Sequence, residues 1–185
     1  MKLDILAIGV HPDDIELSCA GTILKEIASG KKVGVLDLTH GELGTRGSGP
    51  LRLTEAQKSA EILGLACRDN LGMADGFFKN DKKHIVQIAH ILRKYQPDIV
   101  LSNAPSDRHP DHGRASKLIS DACFYSGLRR IKTKQDGELQ EAWRPKAIYN
   151  YIQDRFIEPH FVVDITPFVE TKMDSIKAFS SQFYN

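Results

Sequence analysis

The sequence is short of nearly everything that would commit it to a special compartment or a polymeric partner. Its three cysteines, Cys19, Cys67 and Cys123, are odd in number and far apart, which excludes a disulfide framework and any C-x-x-C motif. Neither sign of charge prevails: 25 Lys and Arg face 24 Asp and Glu, for a formal charge of +1. That removes any general pull towards nucleic acid or an anionic membrane, and the one local basic run, 129–134, reads as a solvated loop. No apolar stretch approaches transmembrane length, and the N-terminus opens on strand-like residues without a secretory leader. Neither G-x-x-x-x-G-K-[ST] nor a G-x-G-x-x-G after the first strand is present, which disfavours nucleotide binding. These absences predict a reduced, cytoplasmic protein with no nucleic-acid or membrane partner.

What is present is an alternation of strand and helix patterns. Residues 3–10 form a near-continuous apolar run, as expected of a parallel strand covered on both faces. Helical spacing over 12–30 (Ile15, Cys19, Ile23, Ile27) stops at Gly30, and further strands are predicted at 33–39, 68–71 and 98–103. Helices are predicted at 54–63, 82–95 and 113–125, an irregular polar excursion at 127–144, strands at 147–152 and 161–163, and a closing helix over 169–183. This order belongs to the α/β class: a Rossmann-like, doubly wound, mostly parallel sheet with helices on both faces. At 185 residues, without repeats or linkers, one domain spanning 1–185 is expected. The last helix runs to Tyr184-Asn185 without a cap signal, so a C-terminus cut short is also expected. Cys19 and Cys123, within apolar helical stretches, read as buried small hydrophobes rather than nucleophiles.

Two copies of His-Pro-Asp stand out, His11-Pro12-Asp13-Asp14 and His109-Pro110-Asp111-His112, each after a strand and before a helix. In an open α/β sheet of order 3-2-1-4, the ligand crevice lies between strands one and four, beyond their carboxyl ends. The two motifs therefore become neighbours in space. A catalytic zinc keeps three protein ligands and one open position, for which histidine and carboxylate suit. His11 and Asp14 are three residues apart on one helical turn, and His112 supplies a third ligand. Asp13 and His109 remain, where a metal hydrolase needs a base for water and a donor for the oxyanion. Asp111 is positioned to orient the His109 imidazole and help keep it protonated. The plain reading of each motif is a proline and acids dressing a helix N-terminus, and it weakens when two such motifs converge. His84, His90 and His160 read as surface, core or loop residues, and His40 as a pocket-lining candidate.

The glycine-rich loop from His40 to Gly49 reads as a substrate cover. Arg46 and Arg52 offer planar forks for a carboxylate, and Arg108, beside His109, is expected to face the pocket.

Both signatures, His11-Pro12-Asp13-Asp14-Ile15-Glu16 and His109-Pro110-Asp111-His112, resemble those of the PIG-L/LmbE family of zinc-dependent N-acetylglucosaminyl deacetylases. The resemblance continues through Asp37-Leu38-Thr39, the loop 41–47, Asn70-Leu71, Met73-Ala74-Asp75-Gly76 and Ser181-Gln182-Phe183. It is similar to the bacillithiol-biosynthesis branch, which acts on N-acetylglucosaminyl-malate. The resemblance implies His11, Asp14 and His112 as zinc ligands, Asp13 as general base and His109 as electrostatic or acid partner. It implies Arg52 near the substrate acetyl and sugar groups, adds Glu42 of the loop to the substrate-binding candidates, and suggests a homo-oligomer. One departure is Asp107, where some relatives carry a tyrosine, which leaves oxyanion stabilisation to zinc and His109.

The expected function is therefore metal-dependent removal of acetate from a small N-acetylglucosamine conjugate, first of all N-acetylglucosaminyl-malate in bacillithiol biosynthesis. Iron(II) suits the same donor set as well as zinc. The alternatives are a deacetylase of another N-acetyl sugar, such as a chitooligosaccharide or an antibiotic precursor, and a non-catalytic sugar- or nucleotide-binding module.

Overall fold

The computed structural model describes residues 1–183. Tyr184 and Asn185, on which the expectation of a cut-short helix rested, lie outside the described residues.

Five parallel strands form one sheet in the order β3-β2-β1-β4-β7. They are β1 (Ile5–Gly9), β2 (Val33–Thr39), β3 (Cys67–Met73), β4 (Ile99–Ser102) and β7 (Ala147–Asn150). β1 is the central strand, and every residue in it is buried, with apolar partners on either face. Leu6, Ile8 and Val10 join the core with Ile88 and Leu92 of α4 (Lys82–Tyr95) and Leu118 and Ile119 of α5 (Pro110–Ser126). Ile5 and Ala7 turn to the other face, against Ile15 of α1 (Asp14–Ser18) and Ile23 of α2 (Ala20–Ala28). Helices thus cover both faces, as the alternating pattern predicts. None of the described helices is long and apolar enough to cross a membrane.

The helix expected over 12–30 is two helices. Ser18 Oγ donates to the Asp14 carbonyl (2.6 Å), a back-bond that bends helices, and Cys19 leaves the helical region at φ −114°, ψ 8°. The helix expected at 54–63 begins earlier, as α3 (Gly49–Leu63), because Ser48 caps it and Pro50 fits its first turn. The excursion 127–144 contains a two-stranded hairpin, β5 (Lys134–Gln135) and β6 (Glu138–Leu139), turned by Asp136 and Gly137 at positive φ. The strand expected at 161–163 does not form: Phe161 and Val162 are exposed and pair with no neighbour in the sheet. The closing helix divides into α6 (Val169–Lys177) and α7 (Ser180–Phe183), with Phe179 between them fully buried.

Candidate metal centre

β1 and β4 are adjacent, with Ile5 opposite Ile99, so the residues that follow each strand meet at one edge of the sheet. The first His-Pro-Asp leaves β1 and enters α1; the second lies between β4 and α5, with His109 as the N-cap. Nitrogens of His11 and His112 and a carboxylate oxygen of Asp14 lie within 4.8 Å of one another, and all three residues are buried. Gly9 allows this approach, since a Cβ there would stand 3.1 Å from the Asp14 Cβ.

Asp14 is held from every side. Its Oδ2 accepts from the amides of Val10 (2.9 Å) and His11 (3.1 Å) and from Asn103 Nδ2 (3.1 Å). Its Oδ1 accepts from Gln153 Nε2 (2.8 Å) and lies 3.3 Å from His112 Nε2. Burial opposes its ionisation, but hydrogen bonds from His11 and His112 hold it well below the usual carboxylate range. Each imidazole rests on a further carboxylate: His11 Nε2 on Asp75 Oδ1 (3.0 Å) and His112 Nδ1 on Asp107 Oδ2 (2.5 Å). Burial lowers the His11 pKa, yet Asp14 and Asp75 outweigh it and push it up to about 10. The field among these acids therefore favours positive charge between the imidazoles. A divalent cation fits both that field and the donor set of two nitrogens and one carboxylate.

Asp13 stands beside this group in a conformation rare for a side-chain-bearing residue, φ 136°, ψ −19°. Such a backbone costs about 1–3 kcal/mol and persists only where its surroundings enforce it. Arg52 supplies that enforcement: Nη2 donates to the Pro12 carbonyl (2.8 Å) and to Asp13 Oδ2 (3.0 Å), and Nη1 to the Gly41 carbonyl (3.1 Å). Gly41 must be glycine, because its φ is +66° and a Cβ would lie 1.9 Å from Arg52 Nη1. Burial raises the Asp13 carboxyl to about 7 against the pull of Arg52.

His109 is half-buried and packs edge-on to His11 (centroids 4.7 Å) and stacked on His112 (5.2 Å). Its Nδ1 accepts from the Asp111 amide (3.3 Å), which leaves the proton of the neutral ring on Nε2. Burial, then the neighbouring His11 and His112, lower its pKa rather than holding it protonated.

Residues 6–123, which contain both motifs, match the family model PIG-L, described as GlcNAc-PI de-N-acetylase. The chain belongs to the PIG-L family. It is 32% identical over 190 residues to the diacetylchitobiose deacetylase of Thermococcus kodakarensis, covering 97% of this chain and 70% of that one. A probable N-acetyl-α-D-glucosaminyl L-malate deacetylase 2 of Bacillus anthracis is 23% identical over 194 residues, covering 97% and 81%. The crystal structure of a conserved protein from Thermus thermophilus superposes with a TM-score of 0.91 at 36% identity, covering 98% of this chain and 80% of that one.

Within this PIG-L fold, not every predicted residue lies where the sequence suggests. Asp111 does not orient His109 through its carboxylate. Its Oδ1 pairs with Arg114 Nη1 (2.5 Å) and its Oδ2 accepts from the Gly76 amide (2.8 Å), so the hydrogen bond to His109 comes from the Asp111 amide and not from its carboxylate. An oxygen of that carboxylate nevertheless lies within 4.8 Å of nitrogens of His11 and His109. Arg108 turns outward, 73% exposed, and pairs with Asp154 (3.6 Å), because adjacency to His109 in the chain does not set side-chain direction at a loop. Arg52 is buried and committed to Asp13 and two carbonyls. Arg46 is exposed on the loop, and the exposed Glu42 accepts from the Asp75 amide through Oε1 (3.0 Å). The His40 ring comes within 3.4 Å of where a Cβ on Gly72 would stand. The residues that sequence reasoning missed are Asp75, Asp107, Asn103 and Gln153. Asp75 and Asp107 lie in segments that carry the resemblance or depart from it, but nothing in their spacing marks them as partners of histidine.

Proposed function

We propose that the chain is a metal-dependent deacetylase of an N-acetylglucosamine-type sugar. The observation that carries this reading is the buried His11–Asp14–His112 group with Asp13 beside it, at the strand ends where α/β sheets bind ligands. In this reading those three residues hold the ion, zinc by preference. Held there, zinc would supply a Lewis acid for an acetyl carbonyl and lower the pKa of a bound water.

The remaining chemistry belongs to the side chains. Arg52 engages Asp13 Oδ2, so Oδ1 takes the proton from the attacking water and later returns it to the leaving amine. His109, with Nδ1 occupied by the Asp111 amide, offers Nε2–H to the acetyl oxygen as negative charge develops. It acts as a neutral donor, since its surroundings lower its pKa.

The malate conjugate expected from the sequence needs cations for its carboxylates. Arg52 is committed to Asp13 and two carbonyls, and Arg108 is turned outward beside Asp154, which leaves Arg46 as the arginine available to that task among the three. A neutral N-acetylglucosamine oligosaccharide makes no such demand. The committed arginines, together with 32% identity to a diacetylchitobiose deacetylase, favour the neutral sugar over the malate conjugate. Acetate release from diacetylchitobiose and from N-acetylglucosaminyl-malate, with metal-loaded and chelated protein, tests both points. The expected outcome is release from at least the first, abolished by chelation and restored by zinc. Absence of release from either substrate by zinc-loaded protein would overturn the activity.

A further inference from the structure

We infer that Asp75 and Asp107 are positioning residues that latch two surface segments to the metal centre, making metal binding and the ordering of those segments one linked equilibrium. The inference rests on the metal-site reading above and goes beyond it. Each carboxylate is almost fully buried, with its side chain 5% exposed for Asp75 and 1% for Asp107. Each gives one oxygen to a histidine and the other to a backbone amide of a surface segment. Asp75 gives Oδ1 to His11 Nε2 and Oδ2 to the amide of Leu43 (3.0 Å), in the exposed loop between β2 and α3. Asp107 gives Oδ2 to His112 Nδ1 and Oδ1 to the amides of its neighbour Arg108 (2.8 Å) and of Arg155 (3.1 Å), the latter in the largely exposed segment after β7. The same segment reaches Asp14 directly through Gln153 Nε2 (2.8 Å). All three candidate ligands are therefore bonded to a group that also holds, or belongs to, a surface segment.

The division leaves one nitrogen of each ring on the Asp14 side: His11 Nδ1 lies 3.8 Å from Oδ2 and His112 Nε2 lies 3.3 Å from Oδ1. A cation held by those nitrogens would fix both rings in place, each with its opposite N–H aimed at its carboxylate. The carboxylate is thereby fixed, and so is the acceptor that the loop amide needs. By linkage, whatever orders the loops must tighten the metal by the same factor that the metal orders the loops. A sugar that closes over the cleft would thus retain the ion it needs.

Hydrogen exchange at the Leu43 and Arg155 amides of the whole protein, with and without one equivalent of zinc, reads this directly. Zinc is expected to slow both by about fivefold or more, the lower range of site-to-site coupling. Asp75→Asn and Asp107→Asn keep an oxygen for the loop amide but lose the charge. Each is expected to weaken zinc binding by about 10- to 100-fold, with metal-free unfolding temperature as the control for a purely structural role. Asp75→Asn should abolish the zinc effect at Leu43 and spare that at Arg155, and Asp107→Asn the reverse. Stoichiometric zinc with exchange unchanged at both amides of the wild type overturns the latch, whatever the variants do. Zinc binding with a full latch but no deacetylation sinks the proposed activity alone, and failure to bind zinc overturns both.

Discussion

The two His-Pro-Asp ends begin with the same three residues and fold differently. At the first, the helix starts after the tripeptide: Asp13 is the N-cap, at φ 136°, and Asp14 is the first helical residue. At the second, His109 is the N-cap, at φ −80°, and Pro110 opens the helix. Relative to the tripeptide, the helix therefore begins earlier at the second end. That shift decides what each third-position aspartate can do. Asp13, outside the helix and strained, is turned beside the metal group and braced by Arg52. Asp111, inside the first turn, meets Arg114 one turn on and is neutralised there. Identical residues acquire different chemistry from where the backbone starts to coil.

The strongest way to break this comparison is Asp13→Asn. Loss of the base should lower kcat by about 10²- to 10⁴-fold while metal content, read by elemental analysis, stays stoichiometric. A variant that loses its metal as well would make Asp13 a ligand rather than a base. Asp111→Asn should fail differently. Its side chain is fully buried and its partner Arg114 is one-third exposed, so we expect a loss of about 1–3 kcal/mol in unfolding free energy after discounting for solvent screening. Denaturant titration measures it, and turnover of the folded fraction should fall by less than about tenfold. The smallest effect belongs to Arg108→Ala. With its side chain 73% exposed and turned to Asp154, its removal should change kcat/KM by less than about twofold. A tenfold rise in KM for an acidic substrate would return that arginine to the cleft.

Much of this frame was readable from the chain. The unbroken apolar run of β1 and the position of each motif after a strand are enough to bring His11 and His109 to one edge of the sheet. His11 and Asp14 do meet, but not on the one helical turn expected: His11 precedes the helix, and a turn closed by the Asp14 amide on the His11 carbonyl (3.2 Å) brings their side chains within 3.8 Å. The carboxylates behind the histidines were not readable. Asp75 and Asp107 come from loops, where no period relates a residue's place in the chain to the direction of its side chain. The same reason misplaced Arg108, and the continuous apolar spacing of residues 12–30 gave no sign of the break at Cys19, beside the Ser18 back-bond. Residues 161–163 have strand composition, but composition alone supplies no neighbouring edge to pair with.

In the proposed mechanism the first strand end carries the base and the second does not. Turnover per bound zinc, measured side by side for Asp13→Asn and Asp111→Asn, tests it most directly. Asp13→Asn is expected to fall at least about tenfold below Asp111→Asn at equal metal content. Equal turnover per zinc in the two variants, or a lower value for Asp111→Asn, would contradict it.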